Sequence, residues 1–248
     1  MLQGFYNLTS SMLTQGRNLD VVSNNISNVS TPGYKKDTMT ATTFREEMLS
    51  RTGNTDRSSV TNLNTTSRIV TAQETITDYS QGSFEETGEP LNLALSSSGF
   101  FEIQTQAGTI YTRNGAFITD EEGYLSLPGV GRVMGLGGQI QLETDDVRID
   151  SAGGIYDAQG NFIDTVRVVD FADYAQLVKN PDGHITGGGQ TVVKDGGIIQ
   201  NTLERSNVSM MKEMTAMMTS QRAIQSASQI LKMYDQMMAK STTEIGRV

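Results

Sequence analysis

The run Phe5-Tyr6-Asn7-Leu8-Thr9-Ser10-Ser11-Met12-Leu13-Thr14-Gln15-Gly16-Arg17-Asn18-Leu19-Asp20-Val21-Val22-Ser23-Asn24-Asn25-Ile26-Ser27-Asn28-Val29 decides the fold class. Its apolar positions Phe5, Leu8, Met12, Leu19, Val22, Ile26 and Val29 step by three and four, with Gln15 alone interrupting, which predicts a helix with one narrow apolar seam. That helix should stop at Ser30 or Thr31, because Pro32 disfavours a helical Thr31 and Gly33 is free to take positive φ. The same period returns at the other end, through Met210, Met214, Met217, Gln221, Ile224, Ala227, Leu231, Tyr234 and Met238, with Ser206 or Asn207 as the expected N-cap. Eight of the 13 Met residues fall between 210 and 238, so this second seam is unbranched and deformable.

Between the helices the period changes twice. Residues 37–67 hold nine Thr with several Ser and Asn and few large apolar groups, and they read as an extended linker. From 68 to 204 short alternating runs such as Leu91-Asn92-Leu93-Ala94-Leu95 and Phe100-Phe101-Glu102-Ile103 are separated by turn signals at Glu122-Gly123, Gln159-Gly160-Asn161 and Asp182-Gly183. The expected architecture is therefore mixed: a mostly antiparallel, barrel-like or sandwich β domain over 68–204, between an assembly helix and turn at 1–36 and a second assembly helix at 205–248. Burying one seam does not offset the entropy of ordering so long a helix, so each coiled-coil-type seam needs a partner, either the other terminus or a second copy.

Composition removes most chemistry. The 248 residues contain no Cys and one His, His184, which excludes disulfides, thiolate nucleophiles and poly-histidine metal sites. The net charge of -9 is uneven: residues 1–36 carry +2, residues 205–248 carry +3 and the segment between carries -14. An acidic body repels phosphate backbones, so no nucleic-acid partner is expected. No apolar run is long enough for membrane insertion, and Met1 to Tyr6 lack the basic start of a cleaved secretory signal, so any route out of the cytoplasm is expected to be another one.

The acidic clusters Asp120-Glu121-Glu122 and Asp145-Asp146 with Asp150 invite a glycosidase or calcium reading, but they flank turn signals, where solvated loop charge is the ordinary account. Asp157-Ala158-Gln159-Gly160-Asn161 fails as a calcium loop, since Phe162 stands where the Gly must be and Val168 where the bidentate Glu must be. Gly187-Gly188-Gly189 has no following Lys-Ser/Thr and reads as a turn. No catalytic residue, cofactor or metal is expected.

Three blocks carry a resemblance. Asn24-Asn25-Ile26-Ser27-Asn28-Val29-Ser30-Thr31-Pro32-Gly33-Tyr34-Lys35 resembles the N-terminal signature of flagellar rod and hook proteins, departing at Ser27, where Ala is usual. Leu91 to Leu125, with Gly99-Phe100-Phe101 and Tyr111-Thr112-Arg113-Asn114-Gly115-Ala116-Phe117, is similar to the family's central segment, although Ser97-Ser98-Gly99 replaces the commoner Gly-x-Gly. Leu203-Glu204-Arg205-Ser206-Asn207-Val208, followed by Glu213-Met214 and Gln221-Arg222-Ala223, is similar to the C-terminal signature. The resemblance implies a structural subunit of the basal-body rod, exported unfolded through the flagellar type III apparatus and polymerising through its terminal helices with other copies and with neighbouring rod or hook subunits. It gives the three asparagines, Asn24, Asn25 and Asn28, a role between subunits, against the alternative of capping within one chain. Tyr34 then anchors the Pro32-Gly33 change of direction, and Arg222 stands beside the seam. A hook-type subunit, a β-rich extracellular fibre or adhesin and a polysaccharide-cleaving enzyme are the alternatives. The chain is short for a hook protein, and only the enzyme needs a carboxylate pair across a cleft.

Overall fold

A computed structural model describes residues 2–43, 46–51, 61–67, 70–144, 146–180, 183–193 and 196–245. The chain forms two compact units, one made of residues 1–27, 37–78 and 209–248, the other of 28–36 and 79–208.

The first unit contains helix α1 (Leu2–Ser27), strands β1 (Asp37–Thr43), β2 (Glu46–Arg51), β3 (Thr61–Ser67) and β4 (Val70–Thr77), and helix α2 (Met210–Ile245). The two helices pack on each other, and α1 also meets β1 and β4. Strand β1 pairs antiparallel with β4 from Asp37↔Thr77 to Thr43↔Val70, with a bulge at Thr40/Ala41, and β2 pairs antiparallel with β3. The stretch read as a linker thus carries three paired strands. Its Thr-rich composition, uninformative about burial, is what a β-branched, polar two-stranded ribbon uses. Residues 52–60 of that stretch lie outside the described residues. Helix α1 ends three residues before the expected Ser30, and 28–30 form a turn in which Thr31 N–H donates to the Asn28 carbonyl at 3.2 Å. Helix α2 starts later than expected: Ser209 accepts the first helical bond, from Glu213 N–H, while the Ser206 hydroxyl caps a preceding turn at Val208 N–H.

The second unit carries β5 (Phe84–Glu86), β6 (Leu93–Leu95), β7 (Phe100–Thr105), β8 (Gly108–Thr112), β9 (Ile118–Thr119), β10 (Leu125–Leu127), β11 (Gly131–Val133), β12 (Arg148–Ile149), β13 (Gly154–Tyr156), β14 (Phe162–Thr165), β15 (Val168–Phe171), β16 (Val178–Lys179), β17 (Ile185–Thr186), β18 (Gln190–Val193), β19 (Ile198–Gln200) and β20 (Thr202–Glu204). Among the described residues its largest sheet runs β16-β17-β8-β7-β11-β10-β9, with β15 pairing both β7 and β18. Smaller antiparallel sheets join β12-β13-β14, β19-β6 and β20-β5. Strand β7 explains why the region reads as a β core. Its side chains alternate, so Phe101 and Ile103 enter the main core with Leu93, Leu125, Val133 and Ile155, while Phe100 points into a second cluster with Tyr111, Val169, Phe171 and Ile185. Phe101 meets Phe117 edge to face at 5.1 Å, and Phe100 meets Tyr79 in the same way at 5.8 Å.

Candidate functional site

The three sequence blocks converge inside the β unit. At Gly33 the backbone has φ 68°, and a Cβ there would fall 2.3 Å from the Arg113 carbonyl carbon and the Asn114 nitrogen, so only glycine fits. Gly33 N–H donates to the Glu204 carbonyl at 2.7 Å. Tyr34 is buried, with the Lys179 ammonium 3.9 Å above its ring, and that ammonium also donates to the Lys35 carbonyl at 2.7 Å. Lys35 turns inward to Glu204.

Glu204 is 0% exposed and holds two cations: Lys35 Nζ stands 2.6 Å from Oε1 and Arg113 Nη1 stands 3.1 Å from Oε2. Gly82 N–H donates to Oε1 at 2.9 Å, Lys35 donates onward to the Ser80 carbonyl at 2.8 Å, and Arg113 Nη2 donates to the Ser97 carbonyl at 2.8 Å. A buried carboxylate survives only when its oxygens are this fully used. The sequence reading quoted Lys35, Arg113 and Glu204 within their blocks and gave none of them a site. The available signal was a single carboxylate on a short strand, on the same face as buried Thr202, with basic residues in both other blocks.

The helix pair supplies the other half. Val22, Thr14 and Asn25 on α1 and Glu213, Ser220 and Ala227 on α2 are buried. Asn18 Nδ2 donates to Ser220 Oγ at 3.0 Å and Asn25 Nδ2 donates to Glu213 Oε2 at 3.2 Å. The two bonds are seven residues apart on each helix and advance in opposite directions, so the helices run antiparallel. Of the predicted seam, Leu8, Met12, Leu19, Ile26, Met217, Ile224, Leu231 and Tyr234 are half-buried beside buried Val22, whereas Phe5, Met210, Met214, Gln221, Arg222 and Met238 are exposed. Val29, Asn28, Pro32, Ser206 and Asn207 are half-buried and Val208 is buried, all in the β unit. Asn24 is exposed. Asn25, expected between subunits, is wholly buried and spends its amide on Asp37 and Glu213 of its own chain. Asn28 caps its own turn through Thr31 Oγ1 at 3.1 Å.

A large apolar surface remains open on α2. Met211 is 79% exposed, and Met214 and Met218 continue its row, followed after a polar gap by Ile230, Met233 and Met237. On α1, Phe5, Tyr6 and Leu13 are also exposed. Apolar exposure on this scale marks an interaction surface.

Asp120, Asp150 and Asp157 are turn residues. In the loops from Asp120, Asp150, Asp157 and Asn180 the first residue accepts from the glycine three positions on, at 2.9–3.0 Å, and donates its N–H to the residue four positions on, at 2.7–3.0 Å. The three aspartates add side-chain bonds to backbone N–H groups, Asp120 to Glu122 and Tyr124, Asp150 to Ala152 and Gly154, Asp157 to Gln159 and Asn161. The Tyr124 backbone N–H, then Arg132, holds the Asp120 carboxyl below its ordinary range, and the Asn161 side chain and backbone do so for Asp157. Asp145 and Asp182 lie outside the described residues, and among the described residues no three His, Asp or Glu are placed to hold a metal. His184 is half-buried. A recess of about 280 Å³ is lined by Tyr79, Ser96, Ser97, Ser98, Phe100, Arg113 and Tyr174. Its serine hydroxyls donate to the Gly197 and Gly196 carbonyls and to Asp170. Burial, then the bond to Asp170, pushes the Tyr174 phenol up to about 12.

The same three blocks are what known proteins share with this chain. The family described as "Flagella basal body rod protein" matches residues 5–35, "Flagellar hook protein FlgE/F/G D1 domain" matches 94–216 and "Flagellar basal body rod FlgEFG protein C-terminal" matches 199–244. Flagellar basal-body rod protein FlgG of Bacillus subtilis is 31% identical, over 96% of this chain and 97% of its own length. Rod protein FlgF of Caulobacter vibrioides is 28% identical over 96% of each chain, and flagellar hook-basal body complex protein FlhO of B. subtilis is 27% identical over the whole of both. With its signature blocks joined at one buried carboxylate and relatives aligned from end to end, the chain belongs to the flagellar basal-body rod proteins, structural subunits of the rod and hook axis.

Proposed function

We propose that this subunit polymerises through the open faces of its terminal helices, with other copies and with adjoining rod or hook subunits, to form part of the axial drive shaft. The observation that carries this reading is the row Met211, Met214 and Met218, fully formed on α2 yet left to solvent in the single chain. Methionine suits contacts whose geometry differs from one neighbour to the next. The reading places the subunit outside the cytoplasmic membrane, delivered by the flagellar type III apparatus; the absence of cysteine supports it, because no covalent cross-link hinders threading. No catalytic role is proposed, since the aspartates of the acidic loops are used in turns.

Met214→Asp tests the interface. The side chain is exposed, so the single chain should keep its circular dichroism spectrum, while an unpaired carboxylate in each subunit contact costs several kcal/mol and should abolish incorporation into basal bodies and motility. Asp150→Asn should leave assembly intact. Normal incorporation of Met214→Asp would remove α2 as the assembly surface, and an enzyme would give the reverse ranking.

A further inference from the structure

The chain passes between its two units four times, after residues 27, 36, 78 and 208. One asparagine in each unit gathers the ends of these passages. In the helix-bearing unit, Asn25 Oδ1 accepts from Asp37 N–H at 3.0 Å, while its Nδ2 donates to the Asp37 carbonyl at 2.8 Å and to Glu213 at 3.2 Å. Thr77 Oγ1 ties the third passage in by donating to the Asp37 carboxylate at 2.7 Å. In the β unit, Asn207 Oδ1 accepts from Lys36 N–H at 2.7 Å, and its Nδ2 donates to the Ser80 carbonyl and hydroxyl, both at 3.1 Å. Lys35 adds its own bond to that Ser80 carbonyl.

The two arrangements are alike in chemistry and independent in position. Each uses a short side chain that carries an acceptor and a donor on one rigid plane, and so adds a third segment to a pair of strands that a backbone ladder already joins, β1–β4 for Asn25 and β5–β20 for Asn207. Asparagine is a poor helix former, and in Asn25 the helix tolerates one at a wholly buried position, where its amide meets both the N–H and the carbonyl of Asp37. We propose that Asn25 and Asn207 are paired clasps, each making its unit bear a pull on any one passage as a whole instead of letting the segments peel away in turn. The bonds themselves belong to the single chain; only the source of the pull, force carried along the polymer through the terminal helices, rests on the assembly reading above.

The test uses the full chain. Cysteines introduced at exposed Leu13 and Leu136 give unique handles in a protein that has none, and they load the passages when the molecule is stretched in an optical trap. With both clasps present, each unit should open in one step. Asn207→Ala should add a short, low-force extension as Lys36 separates from Ser80, with residues 33–35 still pinned at Glu204, and Asn25→Ala should add one in the other unit. Amide exchange gives a second readout: Lys36 should exchange roughly 3- to 10-fold faster in Asn207→Ala with Asp37 unchanged, and the converse should hold in Asn25→Ala. If either alanine variant fails to fold, Asn207→Asp and Asn25→Asp keep the acceptor and lose the donor, and should fall between. Force traces that superimpose on the parent, or Lys36 and Asp37 amides that exchange as fast as in an unstructured chain, would overturn the clasps. Early opening in single molecules with undiminished swimming of the variant strains in viscous medium would instead overturn the assignment of the load to the polymer.

Discussion

Glu204 sits where water cannot reach it, and its charge is balanced by one cation from the N-terminal block and one from the central block. Removing one member of a buried pair strands the others, at a typical cost of 3–5 kcal/mol. Glu204→Gln should therefore lower the unfolding free energy of the β unit, measured by urea titration, by about that amount, and Lys35→Met together with Glu204→Gln should recover part of the loss. Gly33→Ala should destabilise the same unit through the clash with Arg113 and Asn114, and a change within the error of the melt would show that the turn relaxes. The loop aspartates add a pH dependence. Their carboxyls are held low in the folded chain, so the stabilisation is present above the ordinary aspartate pKa and is lost as pH falls through the depressed values. Asp157→Asn should flatten the acid limb of the stability profile. At the alkaline end Tyr174 works the other way: its pKa of about 12 exceeds the unfolded value of 10.0, so its contribution is present below pH 10 and lost as pH rises toward 12.

The helix pair is held in register by polar contacts within an apolar seam. Paired cysteines at Asn18 and Ser220 should cross-link within single chains under mild oxidation, because their side chains already touch. Leu19 and Leu231 should not, since the antiparallel register sets them about twelve residues out of step, roughly 18 Å along the axis. The existence of both helices was legible from apolar spacing, but the buried line was not. Val22 and Ala227 stand in the expected seams, but Thr14 and Ser220 are small and polar, and a count of apolar groups passes over them although the helices bury them. The β core was legible through alternation, as at Phe100 and Phe101. The strands within 37–67 were not, because their Thr-, Ser- and Asn-rich sequence has few large apolar residues to show an alternation. The charge node was invisible for another reason: Lys35 and Glu204 lie 169 positions apart, and nothing local in either block announces the partner.

Along the chain, the acidic charge and the exposed methionines fall on different segments. The ends carry small positive charges and the open methionine faces, while the body carries -14. In the assembly proposed above, association through the ends gains from apolar burial and is opposed by repulsion between acidic bodies. Moderate salt screens the repulsion, and sulfate strengthens apolar burial. Light scattering of the isolated subunit should rise with added sodium chloride, and more steeply with sodium sulfate at equal ionic strength. A fall with salt would mean that ion pairs drive the contact.

The outward methionines also bring a chemical exposure that the cysteine-free sequence otherwise avoids. Thioethers at Met211, Met214, Met218, Met233 and Met237 lie open to solvent, where peroxide converts them to polar sulfoxides without touching the β core. Mild oxidation of the free subunit should therefore leave its fold and melting behaviour intact while erasing its capacity to polymerise, and methionine sulfoxide reductase should restore it. Subunits already built into the axis would be shielded by their neighbours, so a peptide map of oxidised sites before and after assembly would trace the contact surface one sulfur atom at a time.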